Sequence, residues 1–267
     1  MDTKNIAIIA IVAVIIIVAG VYASGVLTGG NSASGNITVL AGAGTMKAMN
    51  ELKTNFEKEH PGTTVNIQYG NSGELFATLS SQKSADMVVP GDLTFMDNAK
   101  NKGYIDYSTV KPIVYHIPVI AVQKGNPKNI TSVKDLGKSG IKVALGDTNG
   151  TAVGKQSIKI LNKTGNLVAV KSNVVVYAPT VNQLLTYLTS GQVDAAIVTE
   201  DIANTSASEG KIEIIQIPND QNAIATIGVG LTTFTKNKDL AMQFEDYITS
   251  SDGLAVWEKN GFKPVNQ

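Results

Sequence analysis

"ITVLAGAGTMKAM", Ile37 to Met49, is the stretch on which the fold turns. Ile37, Val39 and Leu40 read as a buried strand. Met49, Leu52 and Phe56 then recur at helical spacing until His60-Pro61-Gly62 stops the pattern. The turn between them, Ala-Gly-Ala-Gly-Thr, has almost no side chain. Such a turn suits either tight packing or a place where something outside the chain touches the backbone.

Strand-then-helix units of the same kind follow. "VNIQY" leads into "GNSGELFATLSSQ", "ADMVVPGD" into "LTFMDNAKNKG", and "IKVALGD" through a loop into "GKQSIKILNKTG". "NVVVYAP" leads into "TVNQLLTYLTSG", "VDAAIVT" into "EDIANTSASEG", and "KIEIIQIP" precedes "IATIGVGLTTF". Two closing helices are expected near Asp239 to Ser250 and Gly253 to Asn260. Short, nearly continuous apolar strands separated by helices predict an α/β architecture with mainly parallel sheets covered on both faces.

With 267 residues the chain has length for one large domain or two small ones. Its 22 basic residues, all lysine, balance 22 acids, so no field draws in nucleic acid or an anionic membrane surface. Without arginine, the planar fork that clamps carboxylates is missing. The absence of cysteine excludes disulfides, a thiol nucleophile, thiolate metal sites and a lipidated N-terminal cysteine. Two histidines are too few for a multi-histidine metal centre.

After Lys4, "IAIIAIVAVIIIVAGVYA" from Ile6 to Ala23 is uncharged and long enough to cross a bilayer. Val21 and Ala23 are small enough for a cleavage site, so the segment is an uncleaved anchor, the preferred reading, or a signal peptide. Either way the rest of the chain lies outside the cytoplasm. Ser24 to Asn36 reads as a flexible spacer.

Three further loops resemble the opening turn: "YGNSGEL", "ALGDTNGTAVGKQS" and "APTVNQL". Each stands at a strand end, before a helix. Ligands of open α/β sheets bind at the carboxyl ends of strands, and the free N–H groups of helix N-termini there favour anions. Taken singly, each loop is ordinary turn and cap chemistry, with Thr45 and Ser72 as N-caps and Glu74 in a first turn. Their joint recurrence points to an enclosed anion. A phosphate loop is excluded, because Gln156 separates Lys155 from Ser157 and Asn149 stands where the motif needs glycine. "GNSG" is one residue short of a nucleophile elbow. His60 reads as a solvated cap and His116 as a structural residue with a hinge-side role as its alternative, so no catalytic triad forms. The acids Asp86, Asp92, Asp147, Asp194, Glu200 and Asp201 look like caps and turn residues.

The ordered set "ITVLAGAGTMKAMNEL", "GNSGELFATLSSQKSADMVVPGD", "IPVIAVQKGNP", "VALGDTNGTAVGKQSIKIL", "TVNQLLTYLTSGQVDAAIV" and "YITSSDGLAVWEKNGF" resembles the substrate-binding proteins of molybdate and tungstate ABC transporters. The resemblance covers essentially everything after the spacer. It implies the two-lobed, type II periplasmic-binding-protein fold, each lobe a mainly parallel sheet flanked by helices. Residues 37–118 with 226–267 would form one lobe and 119–225 the other, after an anchor or signal segment and spacer at 1–36. Crossing strands around Pro118 to Ala121 and Thr226 to Val229 would be the hinge.

In this family two lobes close over a tetrahedral oxyanion held by hydroxyl and backbone N–H donors. Carried over, the first serine of the family falls on Gly44, leaving Thr45 to supply a hydroxyl, and the second falls on Ser72. Backbone donors fall on Val153 and, after Thr180, on Val181. A family tyrosine is replaced by Thr199, with Glu200 adjacent. Archaeal tungstate-binding relatives add carboxylate contacts, for which Glu200 or Asp147 would serve. The implied partners are molybdate or tungstate, an ABC permease with a cytoplasmic ATPase, and the membrane through the N-terminal segment. The resemblance implies a monomer without cofactor or catalysis. The chemistry agrees, since such anions are fully deprotonated near neutral pH and need donors alone. Sulfate or phosphate as ligand stays open, as does a surface sensor or interaction domain uncoupled from transport.

Overall fold

The computed structural model describes residues 34–265. The segment 6–23 and nearly all of the spacer lie outside the described residues. Among the described residues no helix is long and apolar enough to cross a membrane. In chain order the elements are β1 (Gly35–Gly42), α1 (Met46–Glu59), β2 (Thr63–Gly70), α2 (Ser72–Gln82), β3 (Met87–Val89), α3 (Thr94–Lys100) and β4 (Lys111–His116). After Ile117 alone come β5 (Pro118–Gln123), β6 (Val143–Gly146), α4 (Ala152–Lys163), α5 (Leu167–Asn173), β7 (Val174–Ala178), α6 (Val181–Thr189), β8 (Ala195–Thr199), α7 (Glu200–Ser208) and β9 (Ile212–Gln216). The chain ends with β10 (Ala225–Leu231), α8 (Lys238–Thr249), α9 (Ser251–Lys259) and β11 (Lys263–Pro264).

Two sheets result, ordered β11-β4-β10-β3-β1-β2 and β7-β6-β8-β5-β9. β1 pairs in parallel with β2 and β3, and β6 with β7 and β8. The expectation of mainly parallel sheets needs correction in the pairing. β10 is antiparallel to β3 and β4, β11 to β4, and β5 to β8 and β9. The reason is the route of the chain. β1 to β4 share one direction, as do β6 to β9. β5 and β10 are the strands by which the chain passes from one sheet to the other. Each enters its sheet at the carboxyl ends of the resident strands and therefore runs against them.

The apolar runs are buried as their lack of alternation requires. Along β5, Val119 and Ala121 face one core cluster while Ile120 and Val122 face another. β8 divides the same way, Ala196 and Val198 against Ala195 and Ile197. Helices cover both faces, α6 supplying Leu184, Leu185 and Leu188 to one cluster and α4 supplying Ile160 and Leu161 to the other. In α1 the spacing holds, with Ala48, Met49, Leu52 and Phe56 all buried. Phe56 meets Phe244 of α8 edge-on at 5.0 Å and carries the His60 ring stacked at 4.1 Å. The His60 backbone N–H donates to the Phe56 carbonyl at 2.9 Å, so His60 ends the helix. The seven-residue α5 is too short for periodicity to announce it.

The proposed hinge stretches lie inside β5 and β10 and are held in their sheets. The passages themselves are at Ile117 and in residues 217–224, and side chains pin them together. Gln156 Nε2 donates to the carbonyls of both His116 (2.9 Å) and Ala223 (3.0 Å). Asn222 Nδ2 donates to the Pro118 carbonyl at 2.9 Å.

Candidate ligand cavity

The carboxyl ends of the two sheets meet around a cavity of about 40 Å³. That is room for a few water-sized atoms, the scale of one four-oxygen anion. Its wall is built from four helix starts: Gly42 to Thr45 leading into α1, Gly70 to Ser72 into α2, Thr151 to Val153 into α4, and Thr180 to Val181 into α6. Gly91, His116 and Ile227 complete it, and none of the wall residues is a carboxylate or a lysine.

At three of these starts a side-chain cap fixes some N–H groups and leaves others free, while the start at Gly42 to Thr45 has no side-chain cap. Asn71, not Ser72, is the N-cap of α2. Its side chain accepts from Glu74 N–H at 2.9 Å while Glu74 Oε2 accepts from Asn71 N–H at 2.9 Å. Thr151 Oγ1 accepts from Gly154 N–H at 2.9 Å and donates to the Asp147 carbonyl at 2.8 Å. Thr180 Oγ1 accepts from Gln183 N–H at 3.3 Å. The first N–H groups of a helix have no intrahelical acceptor. Those of Ser72, Val153 and Val181 therefore stand unused beside the cavity, as does the Ser72 hydroxyl. Four helix dipoles add partial positive charge at the same point.

The side-chain-free turn has its explanation in the opposite half. A Cβ on Gly44 would lie 3.3 Å from Val181 Cγ1 and 3.6 Å from Ile202 Cδ1, so α6 and α7 seat against bare backbone. The halves also bond directly. Gly73 N–H donates to the Gly150 carbonyl at 3.0 Å, and Asn182 Nδ2 lies 3.4 Å from the Ala43 carbonyl.

Of the residues expected at the site, Gly44, Thr45, Ser72, Val153, Thr180 and Val181 meet on the cavity. Thr45 does so with a committed hydroxyl, which donates to the Gly42 carbonyl at 2.8 Å. Thr199, Glu200 and Asp147 do not meet on it, which corrects those three expectations. Thr199 is fully buried at the end of β8, paired with Pro118. Glu200 N–H donates to the Ile117 carbonyl at 2.8 Å, so the start of α7 faces the passage between sheets. The Glu200 carboxylate lies 2.8 Å from Lys263 Nζ and accepts from Gln216 Nε2 at 3.1 Å. Asp147 turns its carboxylate inward on its own loop, accepting from the N–H groups of Asn149 and Gly150.

Residues the spacing did not single out also line the cavity: Asn71, Gly91, Thr151, Ala152, His116 and Ile227. Thr151 was legible as a hydroxyl before a helix start, like Thr180. His116 carried no local signal beyond its place at a strand end. Its Nδ1 lies 2.9 Å from the Gly91 carbonyl, and burial pushes the ring's pKa down to about 4, against smaller upward pulls from that carbonyl and from Asp92.

The family model described as bacterial extracellular solute-binding protein matches residues 37–263. A Bacillus subtilis lipoprotein, YvgL, provisionally described as an ABC transporter substrate-binding lipoprotein, is 29% identical over 227 residues, 85% of each chain. The molybdate-binding protein ModA of Mycobacterium tuberculosis is 26% identical over 252 residues, 92% of this chain and 94% of that one. Among solved structures, the sulfate-binding protein SubI of M. tuberculosis superposes with a TM-score of 0.78 at 19% identity, over 86% of this chain and 87% of that one.

Proposed function

Because this chain belongs to the family of bacterial extracellular solute-binding proteins, we propose that it captures molybdate or tungstate and hands it to an ABC permease driven by a cytoplasmic ATPase. The lobes are residues 37–118 with 226–267 and residues 119–225, and the segment 1–36 tethers or exports the chain. One observation carries this reading: four helix starts meet on a small cavity lined by no carboxylate, with the unused N–H groups of Ser72, Val153 and Val181 beside it. A proton-free dianion needs donors and is repelled by carboxylates. Hydrogen bonds to a charged group contribute about 1.5–3 kcal/mol each, so several together offset desolvation of the ion when the site is dry and preformed. Closure of the halves supplies the dryness. The likeness in sequence to a protein named for molybdate supports this anion over sulfate, the second reading, for which the kinship to SubI is one of fold.

Calorimetry and thermal shift on the chain from Ser34 onward, with molybdate, tungstate, sulfate and phosphate, test the reading. A bound anion at 100 times its Kd stabilises the fold by about 2.7 kcal/mol. Stabilisation by molybdate and tungstate, with sulfate at least tenfold weaker, is the expected result. Tight binding of sulfate or phosphate alone would move the assignment to that anion, and no response to any of the four would favour a sensor or interaction domain.

A further inference from the structure

His116 is the wall residue that the donor-only account leaves unused. It ends β4, at the passage between the sheets, and its ring is buried against the cavity. Nδ1 lies 2.9 Å from the Gly91 carbonyl oxygen, which can only accept. The neutral ring therefore carries its proton on Nδ1 and presents a bare lone pair at Nε2. Nε2 points towards the Gly44 wall, 4.0 Å from where a Cβ on that glycine would sit. A lone pair facing the oxygen of a proton-free dianion is repulsive, and a bound ion within a few ångströms makes protonation of the ring favourable.

Few other charges act on the ring. Asp92, on the loop after β3, accepts from Thr94 N–H at 2.8 Å and favours the protonated ring. Lys155 of α4 lines a neighbouring cavity together with Asp92. On α7, Glu200 is engaged by Lys263 and Asp201 lines the broader cavity on the other side of Gly44. The turn at residues 42–45, α6 and β10 carry no charged residue.

Resting on the oxyanion reading above, we propose that His116 makes anion capture proton-coupled: a fully deprotonated oxyanion enters the cavity together with one proton taken from solvent, which sits on Nε2 and is donated to an anion oxygen. The free ring is neutral at physiological pH, because burial holds its pKa near 4, and the bound ring is an imidazolium. Affinity for the dianion then rises as pH falls, close to tenfold per unit while the free ring is neutral and the bound ring charged. A monoprotonated anion such as hydrogen phosphate brings its own proton, for which Nε2 is an acceptor, and binds without uptake. His116 thus sets both the pH at which the cavity loads and which protonation state of an anion it takes.

Calorimetry of molybdate binding to the purified full chain, in two buffers of different ionisation enthalpy at pH 7.5, counts the protons. Uptake of about one proton per anion is expected, with Kd tightening by roughly tenfold from pH 8 to pH 7. With only two histidines in the chain, ring NMR gives an independent readout: saturating molybdate should move His116 to the imidazolium signature and leave His60 alone. His116→Gln, which offers a non-titrating amide, should abolish the uptake and flatten the pH profile while retaining measurable binding. If that variant fails to fold, the wild-type proton count and ring signature decide alone. Binding of molybdate without proton uptake and with a flat pH profile would overturn the inference and leave the oxyanion reading standing. Failure of all four anions to bind would overturn both.

Discussion

Two of the cavities between the sheets share the wall at Ala43 and Gly44, yet they are built from different chemistry. The small one, about 40 Å³, is walled by helix-start backbone, hydroxyls, one imidazole, the Asn71 amide and the apolar side chains of Ala152, Val153, Val181 and Ile227. The broad one, about 510 Å³, lies between α1, α6 and α7 and is lined by Lys47, Lys211 and Asp201 among neutral side chains. Mobile, hydrated charges suit an opening that stays wet, whereas fixed N–H dipoles cost no reorganisation and act strongly where water is excluded. A naked dianion is best held by the second kind of wall. Substitutions in the small cavity should therefore change affinity, and those along the broad one should change stability.

The largest effect is expected at the shared wall. Gly44→Val places its Cβ 3.3 Å from Val181 Cγ1 and its two methyl groups in the space that α6 and the anion need. Molybdate affinity measured by calorimetry should fall by about 100-fold or more, since closure and the ligand are both obstructed. Retained affinity would mean that the halves can bind without the contact between Gly44 and α6.

Next is Ser72→Ala. Because Asn71 caps α2, the serine hydroxyl has no structural duty, and its removal should leave the melting temperature of the unliganded chain within about 1 °C. One donor to a charged ligand is worth about 1.5–3 kcal/mol, so affinity should weaken by roughly 10-fold or more. A loss of stability with unchanged affinity would reverse the roles assigned to Asn71 and Ser72.

This division of labour marks how far the site was legible in the sequence. Strand-then-helix order, small residues at strand ends and a hydroxyl before each helix are local patterns, and they locate Gly44, Ser72, Val153 and Val181 on the wall. Which member of "GNSG" caps the helix depends on backbone angles at one residue, and Asn71 takes the part that the sequence reading gave to Ser72. Placing Thr199 and Glu200 needed the position of the passages between sheets. Glu200 N–H is bonded to Ile117, across a long sequence separation that no local pattern records. His116 reached the wall for the same reason, through the single residue between β4 and β5. The fold is therefore readable from periodicity except where strands cross, and the antiparallel pairings of β5 and β10 and the positions of Thr199 and Glu200 trace to those crossings.

Glu200→Gln tests that explanation with an expected null in binding. The carboxylate ties β11 through Lys263, whose side chain is 61% exposed, so the pair is worth about 1 kcal/mol or less. Molybdate affinity should stay within about twofold of wild type. A tenfold change would bring α7 back into the ligand's shell.

Asp201 gives the comparison its pH dependence. Its carboxyl is buried at the edge of the broad cavity, with Oδ2 unpartnered, and burial, reinforced by the adjacent Glu200, raises its pKa to about 7. In the unfolded chain the group titrates near about 3.9. Between these values the native state binds the proton more tightly than the unfolded state does. The contribution to stability is thus most favourable below about pH 4, is lost progressively as pH rises towards 7, and is level above that. Asp201→Asn removes the slope. Measured by urea unfolding at pH 5 and pH 8, wild type should lose on the order of 2 kcal/mol more than the variant between the two conditions. Molybdate affinity at either pH should be the same in both proteins, because this carboxylate does not line the small cavity. A variant that shifts the pH dependence of binding would couple the two cavities, and the proton taken up with the anion would then belong to Asp201 as much as to His116.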